Sequence, residues 1–446
     1  MLRLVTVPLI GCMLLAAAGL PARGEAGLVR SPEVSGVIGK DDQVRIQLDA
    51  RQAIWLGADT GVVPDGGAVA GPEPITMIEV MPVSGLPPVV PAASAPAGPR
   101  IVLGWQFNPD TVTQTTDAMT VLAPVWFSVT VANEAMVLMR RRASRAYVDE
   151  AHRRGYRVWP VVQMLQSADA HAVLTRPELA AAARAEIVAA LAELGADGVN
   201  LDVEYHPSGD SLALTVFAAE LGAAVHARGM TLSVCVTRRA RGVSNRYDRA
   251  GLARVADYIA LMAYDQHWST CPENGPVAAL DWVAEGVRVT LAEVPPAKLL
   301  LGMPLYAFDW VLLPDTTTAA GEAAAPAIDS GGVRYLRPAA FRALTLDEVW
   351  NLAADGITAT RRGDTLTVQT WLHPPAWSDS EQVMYMAFTD VDRVRHEIWF
   401  ENVQSLIAKQ SLIDTYGLAG AALWQLQFID RDGLAWRAFS SLNPEP

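Results

Sequence analysis

In the stretch DGVNLDVEY, Asp197 to Tyr205, the residues Asn200, Asp202 and Glu204 alternate with Val199, Leu201 and Val203. A period of two reads as a β-strand with one apolar face and one face carrying an amide and two carboxyl groups. Polar groups on a core strand cost free energy unless they are paired or solvated. Two readings meet that condition. The row is either a hydrogen-bonded ladder that fixes strand register, or a site where carboxyl groups exchange protons with a substrate. Glu204 comes last and Asp202 lies one layer below it, so the row climbs toward the C-terminal end of its strand. In a parallel barrel that end is where active sites lie, which favours the second reading.

The surrounding elements supply such a barrel. From about Arg100 the chain alternates short apolar runs with helical segments. The strand candidates begin at Ile101, Val121, Arg157, Gly198, Thr231, Tyr258, Lys298 and Ala421, and Pro177 to Leu194 is the clearest helix between them. Eight strands interleaved with helices predict an α/β fold closed as a (β/α)8 TIM barrel. An open doubly wound sheet competes, but it would usually place a Gly-rich phosphate turn after its first strand, and GWQFNPD has none. The seventh and eighth strands stand more than a hundred residues apart, far beyond an ordinary connection. That gap predicts a small α+β insertion at about 311–398. It holds a helix candidate at Leu344 to Ala354 and a hairpin turning at Arg362-Gly363-Asp364. The segment from His396 to Leu418 is expected to return as the last helix. Arg140 to Arg142 read as a solvated basic face before a helix.

Residues 1–26 carry one Arg, an apolar run from Leu4 to Leu20, and then small residues. They read as a secretory signal cleaved between Ala22 and Ala26; a retained membrane anchor is the alternative for a run of that length. Residues 27–84 show some strand-like alternation and no readable motif. GLPPVVPAASAPAGP, 85–99, reads as an extended linker, leaving 100–446 for the barrel. The protein is therefore expected to be exported to the periplasm, cell envelope or medium, with no integral membrane span once the signal is removed. Hydrophobic residues make up 51% and charged residues 19% of the 446, enough for a large core. The balance of 35 basic against 48 acidic side chains, net −13, argues against nucleic acid and anionic membranes as partners. Cys235 and Cys271 either pair or stay as buried thiols. No CxxC, HExxH or His cluster occurs, so neither metal nor cofactor is expected.

Asp197-Gly198-Val199-Asn200-Leu201-Asp202-Val203-Glu204 resembles the DGxDxDxE signature of glycoside hydrolase family 18, the chitinase-like enzymes. Leu261-Met262-Ala263-Tyr264-Asp265 resembles the MxYD motif of the family's sixth strand. Leu299 to Trp310 is similar to its seventh, and Trp424 falls where the family has an eighth-strand Trp. These matches run in the family's order from about Ile101 to Asp430. MAYDQHWS and HEIWFENVQSL resemble the branch of spore-cortex-lytic N-acetylglucosaminidases, in which Asn commonly stands where chitinases keep the first Asp of DxDxE.

The resemblance implies a retaining, substrate-assisted reaction in which the sugar's own N-acetyl oxygen attacks the anomeric carbon. It casts Glu204 as the acid and Asp202 as the orienter of the acetamide nitrogen. Tyr264 would donate to the acetamide oxygen, Asp265 would contact the sugar, and Trp424 would form the floor. Like-charge proximity to Asp202 should help raise the pKa of Glu204. Asn200 is expected to give Asp202 a neutral partner and keep it ionised. Among nearby residues, Tyr306 and Trp126 are the expected sugar-stacking aromatics and Gln163 a sugar hydrogen-bonder; Trp105, Trp268 and Trp310 are as well explained by packing. The implied partner is a polysaccharide, either peptidoglycan or chitin oligomers, handled by a monomer. A non-catalytic glycan-binding protein on the same barrel is the alternative.

Overall fold

The computed structural model describes residues 99 to 443, except for 113–117, 240–245, 269–270, 272, most of 313–339, 356–358, 362–363 and 430–432. Before residue 99 it describes only two short strands, Val37–Ile38 and Val44–Arg45, which pair antiparallel with each other. The expected signal segment and the linker up to residue 98 thus lie outside the described residues.

All eight expected barrel strands are present. They are Ile101–Phe107, Val121–Ala132, a third strand in two pieces (Arg157–Val158 and Val161–Gln163), Gly198–Asp202, Thr231–Thr237, Tyr258–Met262, Leu299–Pro304 and Gly420–Trp424. Each pairs in parallel with its chain neighbours, and the first pairs with both the second and the eighth, which closes the barrel. Closure brings two backbones very close at Gly420. A Cβ there would fall 1.8 Å from the Ile101 carbonyl oxygen, and φ is +153°, so a residue without a side chain is required.

The near-continuous apolar runs are explained by burial on both faces. Ile101, Leu103, Trp105, Val121, Ala123, Val125 and Ala260 point into the barrel and form one cluster, while Val102, Leu122 and Leu261 pack outward against the helix shell. The helix Pro177–Leu194 starts with Pro at its first position and ends on Gly195 at φ 68°, the usual pairing of start and stop residues. Among the described residues no helix is long and apolar enough to cross a membrane.

A five-stranded antiparallel sheet follows the seventh barrel strand. Its order is Ala340–Thr345, Tyr306–Leu312, Arg395–Phe400, Val383–Thr389, Thr370–Ser378, with the helix Leu346–Asp355 beside it. Because a single residue, Leu305, separates Tyr306–Leu312 from the end of the barrel strand, this sheet is fastened directly to the mouth. Residues 396–400, expected to begin the last helix, instead form a strand with Arg395; RHEIWF is rich in aromatic and β-branched side chains that suit a sheet. The last helix starts only after Asn402, whose side chain accepts from the Ser405 N–H in a capping box.

A further strand, Ala135–Arg140, pairs antiparallel with the end of the second barrel strand. Arg140 is therefore part of a hairpin and not simply a residue leading into a helix. It binds Glu193 at 2.7 Å, and Arg142 binds Asp110.

Candidate active site

With all eight strands parallel, their C-terminal ends share one mouth. Asp202 ends the fourth strand, and Glu204 lies two residues past it, in the loop and not on the strand as its alternation suggested. Tyr264 and Asp265 likewise follow the end of the sixth strand at Met262.

Asn200 sits deepest and is fully buried. Its Oδ1 accepts from Trp105 Nε1 at 2.8 Å and from the Cys235 thiol at 3.2 Å, and its Nδ2 donates to Ser233 Oγ at 3.0 Å. These bonds tie the first, fourth and fifth strands together. Asn200 is thus a support out of substrate's reach, which corrects the expectation that it binds substrate or partners Asp202. Asp202 takes Gln163 instead, whose Nε2 donates at 3.0 Å. Gln163 is 4% exposed, so its amide serves the carboxylate, not the sugar role expected of it.

Burial dominates the charge state of the acids. Asp202 is pushed up to about 6 by desolvation, which the Gln163 hydrogen bond partly offsets. One of its oxygens, Oδ1, is buried with no partner among the described residues. The expectation that Asp202 would ionise readily is therefore overturned, because loss of water outweighs a single amide donor. Glu204 is raised well above the usual carboxyl range, first by burial and then by the charges of Asp202 and Asp265, against a lowering effect of Arg246. The Arg246 guanidinium donates to the Glu204 carbonyl at 3.1 Å and the His206 carbonyl at 3.2 Å. His206, buried, adds contacts to the Val203 and Arg246 carbonyls, and Tyr247 OH donates to Val203 at 3.1 Å. These three side chains pin the loop that carries the acid.

Across the mouth, Asp265 adopts a left-handed backbone, φ 58°, a conformation that costs energy in a non-Gly residue and clusters at functional sites. Its carboxyl is pushed up to about 6 by burial, and the Tyr306 hydroxyl that donates to Oδ1 pulls it back. Tyr306 is completely buried, edge-on to Tyr264, Phe308 and Phe428. It positions Asp265 and offers no face to a sugar, contrary to expectation. Tyr264 has its phenol held far above 10 by burial, so it stays a donor. Trp424 is half-buried, with its ring 5.9 Å from Trp105 in an edge-on arrangement, and packs on both interior clusters. Trp126 is fully buried and meets Tyr147 edge-on at 5.1 Å; it belongs to the helix-facing core, which corrects its assignment as a stacking platform. Cys235 and Cys271 are both free thiols. Among the described residues no group of three or more His, Cys, Asp or Glu is arranged to hold a metal.

One expected outcome follows from the Asp265 contact. Tyr306→Phe removes the hydroxyl that donates to that carboxyl, so the Asp265 pKa should rise further. The acidic limb of the pH–rate profile should then move to higher pH with a loss of about tenfold in kcat. A profile superimposable on wild type would show that the contact has no role in turnover.

A buried and a half-buried carboxyl at the end of the fourth strand, faced by a Tyr-Asp pair from the sixth, make a candidate acid–base site in a (β/α)8 scaffold. Residues 171–428 match the family model of glycosyl hydrolases family 18, and the chain belongs to that family. It is 24% identical over 246 residues to the di-N-acetylchitobiase of Rattus norvegicus, covering 52% of this chain and 61% of that protein. It is also 24% identical over 246 residues to the cortical fragment-lytic enzyme of Bacillus subtilis (strain 168), covering 54% and 49%. The chain thus spans about half to three fifths of the length of these curated relatives. Its fold is similar to that of the Bacillus megaterium QM B1551 spore cortex-lytic enzyme SleL, with a TM-score of 0.58 at 18% identity, covering 78% of this chain and 75% of the other.

Proposed function

We propose that the protein is an exported, retaining glycosidase that cleaves next to β-linked N-acetylglucosamine, with peptidoglycan as its substrate. The observation that carries this reading is the pair Asp202 and Glu204: two carboxyls at one barrel mouth, the first buried and the second half-buried, both displaced upward by desolvation, and Glu204 raised further by the charge of Asp202. Such an acid can give its proton to a leaving oxygen. Glu204 protonates the glycosidic oxygen as the bond to the anomeric carbon breaks, and the substrate's acetamide oxygen closes on that carbon to form an oxazolinium ion. Asp202 holds the acetamide N–H and balances the positive charge, Tyr264 donates to the acetamide oxygen, and Asp265 and Trp424 seat the ring. Glu204, now ionised, takes a proton from the water that opens the oxazolinium, and the starting configuration returns.

The relatives support two substrates, since one is named for cortical fragments and the other for di-N-acetylchitobiose. Chitin oligomers are therefore the second reading. Release of reducing ends from purified peptidoglycan and from chitin oligomers, with products identified by mass spectrometry, tests both. Binding of either glycan without any turnover would instead support a non-catalytic binding protein. Export rests on the apolar run Leu4 to Leu20, and recovery of the protein from the cytosol with residues 1–26 intact would contradict it.

The carboxyl chemistry also fixes a pH window. Below about 6 Asp202 takes up a proton and activity falls; at higher pH Glu204 loses its proton and activity falls again. Asn200→Asp would place a third carboxyl on the same face, below Asp202, and like-charge repulsion should shift the acidic limb upward. An unmoved pH–rate curve would remove Asn200 from the electrostatics of the pair.

A further inference from the structure

Beside the catalytic mouth, at the ends of the first three barrel strands, lies a narrow pocket of about 10 Å³, room for one water-sized group such as a single oxygen of a ligand. Gln163, the donor to Asp202, lines it together with Phe107, Asn108, Trp126, Arg141 and Leu165. Asn108 Oδ1 is buried at this pocket with no hydrogen-bond partner among the described residues. A buried acceptor left open there is costly unless a water or a ligand hydroxyl meets it.

The charge at the rim is equally specific. Of the three consecutive arginines, Arg140 is held by Glu193 and Arg142 by Asp110. Arg141, between them, has no acidic partner among the described residues. Its backbone N–H donates to the Trp126 carbonyl at 2.7 Å, so the hairpin fixes where this exposed cation stands. A single guanidinium matches a carboxylate in a two-pronged hydrogen bond. A phosphate dianion would call for more positive charge than this acidic chain, at net −13, places here.

The geometry points to Arg141 as the recognition residue for a carboxylate on the glycan, borne by the unit beside the N-acetylglucosamine over the acids. The inference rests on the proposed glycosidase reading and narrows its substrate class, because peptidoglycan carries carboxylates and chitin carries none. The carboxylate has two sources: the lactyl group of the muramic sugar when the peptide is absent, or the peptide stem.

Three oligomers of equal length separate these cases: a chitin oligomer, a peptide-free glycan with free lactyl carboxylates, and a peptide-bearing glycan. Wild type and Arg141→Gln are compared on each for kcat/KM, and the same comparison is made for binding in a Glu204→Gln background by calorimetry. The ratio of carboxylate-bearing to chitin oligomer should fall about tenfold on loss of Arg141, the size expected for one charge-assisted hydrogen-bonded pair. A fall confined to the peptide-free glycan assigns the lactyl group, and one confined to the peptide-bearing glycan assigns the stem. An unchanged ratio overturns the inference. If wild type cleaves none of the three, the glycosidase reading fails, and the binding ratio still decides whether Arg141 selects a carboxylate.

Discussion

Glu204→Gln is expected to lower kcat by about 10²–10⁴-fold, the usual contribution of a positioned proton donor, with KM changed little. The substitution keeps the shape and the hydrogen-bonding capacity of the side chain and removes only the transferable proton. The backbone of its loop is held independently, through Arg246 on the Glu204 and His206 carbonyls and Tyr247 on Val203. Loss of activity therefore should not be accompanied by loss of fold, and melting curves should stay close to wild type. Steady-state kinetics on a defined oligomer, together with a thermal melt, check the prediction. Activity within tenfold of wild type would show that protonation of the leaving group comes from elsewhere.

Asp202→Asn should produce the opposite pairing of effects, with lower activity and higher stability. The ordinary Asp carboxyl titrates at 3.8 and this one at about 6 when folded. Between those values the folded protein holds a proton that the unfolded chain has released. Its stabilising contribution is thus complete below about 3.8 and lost as pH rises through about 6. At pH 7.5 the native state carries a buried charge with one oxygen, Oδ1, unpartnered among the described residues, and an amide relieves that cost. The variant should melt a few degrees above wild type at pH 7.5, at about 2–4 °C per kcal/mol for a domain of 150–250 residues, and the gain should shrink at pH 4.5. Its kcat should fall on the order of 10²-fold, as when one preorganised electrostatic partner is removed. A variant that melts lower than wild type at pH 7.5 would mean that Asp202 is held by stabilising contacts beyond Gln163.

This antagonism explains why the barrel fold was easy to read and the site was legible only in part. Parallel barrel strands are buried on both faces, so IVLGWQF or LLLGMP announces itself by apolar content alone, and Pro177 and Gly195 bracket their helix by local chemistry. The carboxyl row stood out because it contradicts that pattern. What the row binds depended on register between distant strands. Asn200 meets Trp105 and Ser233 because of how the first and fifth strands align with the fourth, and no local spacing encodes that alignment. Arg246 and Tyr247, which hold the acid's loop, lie 42 and 44 residues along the chain from Glu204 and Val203, the residues whose carbonyls they bond. They carry no motif. Trp126 is a different case. Val121, Ala123 and Val125 face inward, so alternation by itself points Trp126 toward the helices. Tyr306 was recognised as part of the site, but its buried hydroxyl acts on Asp265, not on a sugar. The paired strand that fixes Arg141 beside the pocket was missed because AMVLMR follows a turn at Asn133 and Glu134, both with positive φ, where glycine, the usual marker, is absent.

The most direct test of the central claim, that a substrate's own acetamide completes this two-carboxyl site, is the anomeric form of the first product. Proton NMR during early turnover of a β-linked N-acetylglucosamine oligomer should show the β-anomer at the new reducing end, before mutarotation. An initial α-anomer would mean direct displacement by water, and would contradict the roles given to Asp202 and Glu204.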